Sequence, residues 1–338
     1  MSYDGKVLAA AREQYELDKE RRAAEFRRRR QEIYARDPKL KEIESGMRRT
    51  MIRVLSASLR HGQDPAEAVE RQHRENTALQ KERAAHLAAL GLPADALSEK
   101  PACALCNDTG YGKDGGLCSC LKAYYIAEQT RQLSMLLHLG SQSFERFRLD
   151  YYPDDYREKD KLVPRAHMEK VEKTCRLYAA NFGRSTGLNN LFLTGEPGLG
   201  KTFLSACIAR EVSQQGFSVV YDTASHVFSR FETEKFRRGS EDEQEDAAAD
   251  VRRYLGCDLL ILDDLGTELT TPLVQDVLYQ LINQRLISEK RTIISSNLTE
   301  GDLRRRYSPQ IASRLCGEYR MLPFFGDDIR KLRQREGL

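Results

Sequence analysis

Residues 191–203 read LFLTGEPGLGKTF, an apolar run closing in glycines, a lysine and a threonine. Gly195, Gly200, Lys201 and Thr202 fit the spacing G-x-x-x-x-G-K-[ST], with Glu196, Pro197, Gly198 and Leu199 filling the loop. Glycines let backbone N–H groups curl around phosphate oxygens at a helix N-terminus. Lys201 brings a point charge to the β and γ phosphates, and the Thr202 hydroxyl can sit on Mg²⁺. A chance match is the bland alternative. The apolar strand pattern before the loop and the helical pattern after it argue against that, so ATP or ADP is the expected ligand.

A second stretch, LLILDD at 259–264, is four apolar residues followed by two carboxylates. It reads as a buried strand that ends in Asp263, which organises Mg²⁺, and Asp264, placed to polarise the attacking water. A third polar strand tip, Ser295-Ser296-Asn297, would bring Asn297 to the γ-phosphate; its alternative is an ordinary strand-end turn.

Residues 103–120, CALCNDTGYGKDGGLCSC, hold four of the chain's 8 cysteines. Cys103-x-x-Cys106 is a turn that aims two thiolates at one metal, and Cys118-x-Cys120 can complete a tetrahedral Zn²⁺ site. The second pair is C-x-C, a less specific spacing, and reduced buried cysteines are the alternative. Four thiolates leave no open position, so the zinc would be structural. Cys175, Cys207, Cys257 and Cys316 are scattered and read as small core residues.

The elements that must position these groups differ along the chain. Residues 1–100 are rich in Ala, Glu, Arg, Gln and Leu, which predicts helix. Breaks at Asp37-Pro38 and at His61 to Pro65, with Asp64 and Glu67 as a capping pair, give three helices. Phe26, Ile33, Leu40, Met47 and Val54 recur every seven residues, with Ile43, Met51, Leu55 and Leu59 widening the stripe. That stripe suits a small helical bundle or a partner-binding face. The run Arg27 to Arg30, preceded by Arg21-Arg22 and interleaved with Glu20, Glu25 and Glu32, suits a solvated helix face or a nucleic-acid contact. From about residue 186, β-branched strands at 191–195, 218–222, 259–264, 292–297 and 319–324 alternate with helices, the pattern of a parallel α/β sheet. The acidic stretch 237–250 is expected to be an exposed, mobile insertion. Expected domains are therefore a helical partner-binding region 1–100, a four-cysteine zinc module 101–125, a linker 126–165 and an ATPase domain 166–338.

With 54 basic against 51 acidic residues, nucleic-acid affinity must come from local clusters. Arg230, Lys235, Arg237 and Arg238, beside Phe228, Phe231 and Phe236, are candidate DNA contacts, or helix core with solvated charges. Residues 143–153 are expected to wrap the base of the nucleotide or to pack as a linker. No apolar run approaches the roughly 20 residues of a membrane helix, and the charged N-terminus is unlike a signal peptide, so a cytoplasmic protein is expected.

The order GEPGLGKT, LLILDDLG, SSN, SPQIASRL resembles AAA+ ATPases over roughly residues 140–338, and in detail the DnaC/DnaI-type helicase loaders and the IstB-type transposition helpers. The resemblance implies an AAA+ P-loop core with a parallel sheet behind a helical region and a small zinc-binding module. It implies an arginine that reaches a neighbouring subunit's nucleotide, Arg314, hence self-association, and one that touches phosphate from its own subunit, Arg330. Many members carry Asp-Glu where this chain has Asp263-Asp264, and with so few residues after Arg330 the helical lid typical of larger members is not expected. Two functions follow. One is a loader that places a DnaB-type replicative helicase on single-stranded DNA; the other is a transposition helper that assembles on duplex DNA. An adaptor with an idle ATPase is a third reading, disfavoured by the intact Lys201, Thr202, Asp263 and Asp264.

Overall fold

The structure is a computed structural model that describes residues 3–58, 65–137, 142–184 and 187–335. The chain forms two compact units, residues 13–120 and residues 1–12 with 121–338.

The unit of residues 13–120 holds most of α1 (Gly5–Arg36) together with α2 (Pro38–Ser58) and α3 (Pro65–Ala89). Asp37 breaks the first two helices apart: its carboxylate accepts the Lys39 amide at 3.0 Å, and Pro38, which has no N–H to lose, starts the next helix. Within the described part of the heptad stripe Phe26, Ile33, Leu40 and Ile43 are each at most 9% exposed, while Met47 is half-buried. The side chains of Met51, Val54 and Leu55, and all of Leu59 and the break at 61–64, lie outside the described residues. Of the arginine run, Arg29 and Arg30 lie over the Phe26 ring and Arg28 pairs with Glu32, so these side chains lie along their own helix.

The other unit is a three-layer α/β/α sandwich. Its strands are β1 (Leu191–Thr194), β2 (Val219–Thr223), β3 (Leu259–Leu265), β4 (Arg291–Ser296) and β5 (Arg320–Pro323), all parallel, in the order β2-β3-β4-β1-β5. Both faces are covered, which is why the strands read as unbroken apolar runs. Leu191, Leu193, Leu259, Ile261 and Ile293 face one helical layer, while Phe192, Leu260, Leu262 and Ile294 face the other. The first layer is the end of α4 (Ser119–Leu137), α5 (Pro164–Ala180) and α6 (Lys201–Gln214); the second is α7 (Ala224–Phe236), α8 (Glu241–Gly256), α9 (Pro272–Ile287) and α11 (Pro309–Glu318), which follows the short α10 (Glu300–Arg306). The last helix is α12 (Ile329–Arg335).

Two expectations are corrected. The acidic stretch is not a mobile insertion: Ser240 and Glu243 close a capping box, and residues from Glu241 onward form α8, whose Ala247 and Asp250 are buried. Acidic side chains in a first turn complement the helix dipole, so this composition stabilises a helix start. The units also divide the chain differently from the expected domains, since residues 1–12 and 121–165 fold with the α/β unit. Asp4 pairs with Arg253, Lys6 pairs with Asp250, and Gln129 caps the edge strand by accepting the Val219 amide and donating to the Phe217 carbonyl.

Candidate nucleotide site and cysteine cluster

The phosphate loop runs from β1 into α6 through three left-handed glycines. Gly198 stands at φ +83°, and a Cβ there would come within 2.0 Å of Asp328, so no other residue fits the loop without displacing that neighbour. Gly200, at φ +91°, begins α6 with no side-chain cap. The first amides of α6 are thus left to a ligand, at the helix end that favours negative charge. Tyr152 donates from its hydroxyl to the Leu199 carbonyl at 2.8 Å, and Leu199 itself is buried in the core.

Lys201 and Thr202 occupy the first two helical positions. The Lys201 ammonium donates to the Gly195 and Glu196 carbonyls at 2.6 and 2.9 Å, which uses two of its three protons. Burial pulls its pKa below the ordinary lysine value, against the upward pull of Asp264 and Asp263. The Thr202 hydroxyl lies 3.3 Å from Asp263, and the Asp263 carboxylate, 3% exposed, also accepts from Tyr221 at 2.6 Å and from Ser295.

The strand tip itself is irregular. Leu262 pairs with Ile294 and Leu265 with Ser296, so Asp263 and Asp264 together face the single residue Ser295, a β-bulge. Asp264 stands at φ +57° and donates its amide to the Ser295 hydroxyl instead of a ladder carbonyl. The bulge puts Asp263 beside Thr202 and aims Asp264 into the cavity. Burial, and then the neighbouring Asp263, raise the Asp264 pKa above the usual carboxylate value, while Lys201 and Arg330 oppose the rise.

A cavity of about 930 Å³ lies over the loop. Its walls include Pro197, Gly198, Gly200, Lys201, Thr202, Asp264, Asn297 and Arg330, which brings together most of the residues singled out in the sequence. Phe147, Arg148 and Tyr151 line it as well, so the segment 143–153 reaches the pocket and does not merely link. Gly195 and Leu199 support the loop, Asp263 lies beneath it and Glu196 is exposed. Sequence reasoning missed Thr267, Phe203 and Arg333 in the lining and Tyr221 on Asp263. Arg314 is outside the cavity, on α11 with its guanidinium 5.3 Å from the Tyr279 ring centre.

The donor set fits nucleotide and Mg²⁺: uncapped amides, an ammonium and an arginine for phosphate oxygens, and a hydroxyl beside a carboxylate for a hard cation. The DNA-contact candidates fare differently. Phe228 and Phe231 are core residues, and Arg230, Lys235 and Arg238 pair with Asp250, Asp276 and Glu232. Phe236 is exposed, under the Arg238 guanidinium. A helix that must pack on a sheet spends its aromatic residues there first.

In the other unit the sulfur atoms of Cys103, Cys106, Cys118 and Cys120 all lie within 4.8 Å of one another, with Cys103···Cys118 at 3.7 Å and Cys106···Cys120 at 3.5 Å. Tetrahedral zinc with Zn–S bonds of about 2.3 Å sets sulfurs about 3.8 Å apart, so the cluster fits that ion. Asp108 holds the first knuckle by accepting the Ala102 and Cys103 amides at 2.9 and 2.8 Å. Burial opposes ionisation of Cys106, yet the Gly110 amide and the neighbouring thiols pull its pKa down to about 6.

Fold and site together define an AAA+ type P-loop ATP-binding unit preceded by a helical region with a four-cysteine cluster. The sequence model of the IstB-like ATP binding proteins matches residues 86–315, more than half of the chain, and the protein belongs to that family. Among its relatives, the protein YdaV of Escherichia coli is 28% identical over 130 residues, 38% of this chain and half of YdaV's length. The replicative helicase loader DnaC of Buchnera aphidicola subsp. Acyrthosiphon pisum is 22% identical over 212 residues, 62% of this chain and 82% of that one. A crystal structure of the DnaC helicase loader aligns with a TM-score of 0.44 at 19% identity, covering 56% of this chain and 99% of that chain.

Proposed function

We propose that this protein is an ATP-dependent loader that binds a DnaB-type hexameric replicative helicase and delivers it onto single-stranded DNA in the cytoplasm, during replication initiation or restart. The observation that most supports this reading is the convergence of Lys201, Thr202, Asp264, Asn297 and Arg330 on one cavity, in a chain whose alignment with a DnaC loader spans 82% of that relative.

In this reading Lys201 turns from the loop carbonyls toward the β and γ phosphates, and the α6 amides hold the same oxygens. Thr202 and Asp263 hold Mg²⁺, which neutralises charge on the phosphoryl oxygens when bound. Asp264 orients the attacking water and accepts its proton, Asn297 fixes that water from the strand tip, and Arg330 binds phosphate from α12. Arg314 serves the neighbouring subunit, so hydrolysis depends on self-association. The unit of residues 13–120, with zinc held by its four cysteines, docks on the helicase. Turnover then acts as a switch of grip and assembly.

Co-elution of the purified protein with its cognate helicase tests the reading. The complex is expected to respond to ATP against ADP, to lose that response with Lys201→Ala, and to disappear when residues 13–120 are removed. Absence of any complex, together with ATP-dependent assembly on duplex DNA, would favour the transposition helper instead.

A further inference from the structure

The Asp263 carboxylate is held by more than the sequence motif supplies. Its Oδ2 accepts from the Tyr221 hydroxyl at 2.6 Å and from Thr202 at 3.3 Å, and its Oδ1 accepts from Ser295. Tyr221 comes from β2, where Thr223 is the direct neighbour of Asp263 and Tyr221 pairs with Ile261. Positions 221 and 263 are therefore diagonal neighbours on one face of the sheet, a gap that an aromatic side chain spans and a serine or threonine does not. The Tyr221 ring packs against the core, which fixes where its hydroxyl points.

We infer that Tyr221 is a positioning residue: its hydroxyl tethers Oδ2 of Asp263 so that the carboxylate faces Thr202 and holds the divalent cation that accompanies the nucleotide. The inference rests on the nucleotide reading of this site. A hydroxyl on a metal-ligating carboxylate fixes its orientation, and losing such a partner costs about 10- to 100-fold in metal affinity.

The test uses the full chain with ADP and Mn²⁺, free Mn²⁺ being read by its electron paramagnetic resonance signal, and ATP turnover as a function of Mg²⁺ concentration. Tyr221→Phe keeps the ring and its packing. It should weaken Mn²⁺ binding about tenfold or more and move the Mg²⁺ midpoint of turnover upward by a similar factor. Tyr254→Phe is the control, because Tyr254 also donates to a carboxylate in this unit, Asp222 at 2.6 Å, away from the cavity; it should move neither quantity. In an Asp263→Asn background Tyr221→Phe should add no further loss, since its effect passes through Asp263. Unchanged Mn²⁺ affinity in Tyr221→Phe, or an equal loss in Tyr254→Phe, overturns the inference and leaves the nucleotide site standing. Failure of the unaltered protein to bind Mn²⁺ with ADP overturns the nucleotide reading itself.

Discussion

Asp264 sits in a left-handed backbone conformation at the cavity wall, between a second carboxylate and two cations. Ionised, it can accept a proton from water; protonated, it cannot. Its pKa lies above the ordinary carboxylate value because burial and Asp263 favour the neutral form, so activity should be present above that raised pKa and fall as pH drops through it. Arg330 favours the charged form, and its removal should raise the pKa further. We therefore expect the acid limb of kcat/KM for ATP to move to higher pH in Arg330→Ala, apart from any fall in the plateau; an unmoved limb would separate Arg330 from Asp264. At this scale the phosphate loop and the carboxylate pair were legible in sequence because their spacing is itself the chemistry. Tyr221 was not, because its contact depends on which strand lies beside β3, and that is a property of the sheet order.

Among the elements, the strands were read to within a residue or two, since burial on both faces forces continuous apolar runs. The bulge at Asp263-Asp264 left no such trace, and the start of α8 was misread, although a helix at about 248–255 was expected, because an acidic first turn has the composition of a disordered segment. What ends α8 was also hidden. Arg285 of α9 is fully buried and donates to the Tyr254, Cys257 and Arg291 carbonyls at 2.5, 3.2 and 2.5 Å and to the Thr292 hydroxyl at 2.9 Å. The guanidinium meets the carbonyl end of α8, where the helix dipole favours a cation. Arg285→Met removes every one of these donors and leaves buried carbonyls unpaired, and urea unfolding should show a loss of about 3 kcal/mol or more. A loss under about 1 kcal/mol would mean the clamp is dispensable.

Over the whole molecule, the sequence separated a helical, cysteine-bearing region from an α/β core. It did not reveal that residues 1–12 fold with the core, because Asp4 and Lys6 are ordinary polar residues until Arg253 and Asp250 stand opposite them. Two compact units predict separable losses. The protein should carry about one zinc per chain, and chelation should expose residues 13–120 to protease while ADP binding by the other unit persists. Loss of ADP binding along with the zinc would contradict that independence. Delivery of a ring onto a strand, the proposed function, is read most directly by retention of the cognate helicase on covalently closed single-stranded circles, which have no end to thread. Retention should require this protein and ATP, fail with Lys201→Ala and drop sharply with Arg314→Ala. Retention equal without the protein, or seen only on duplex circles, would contradict it.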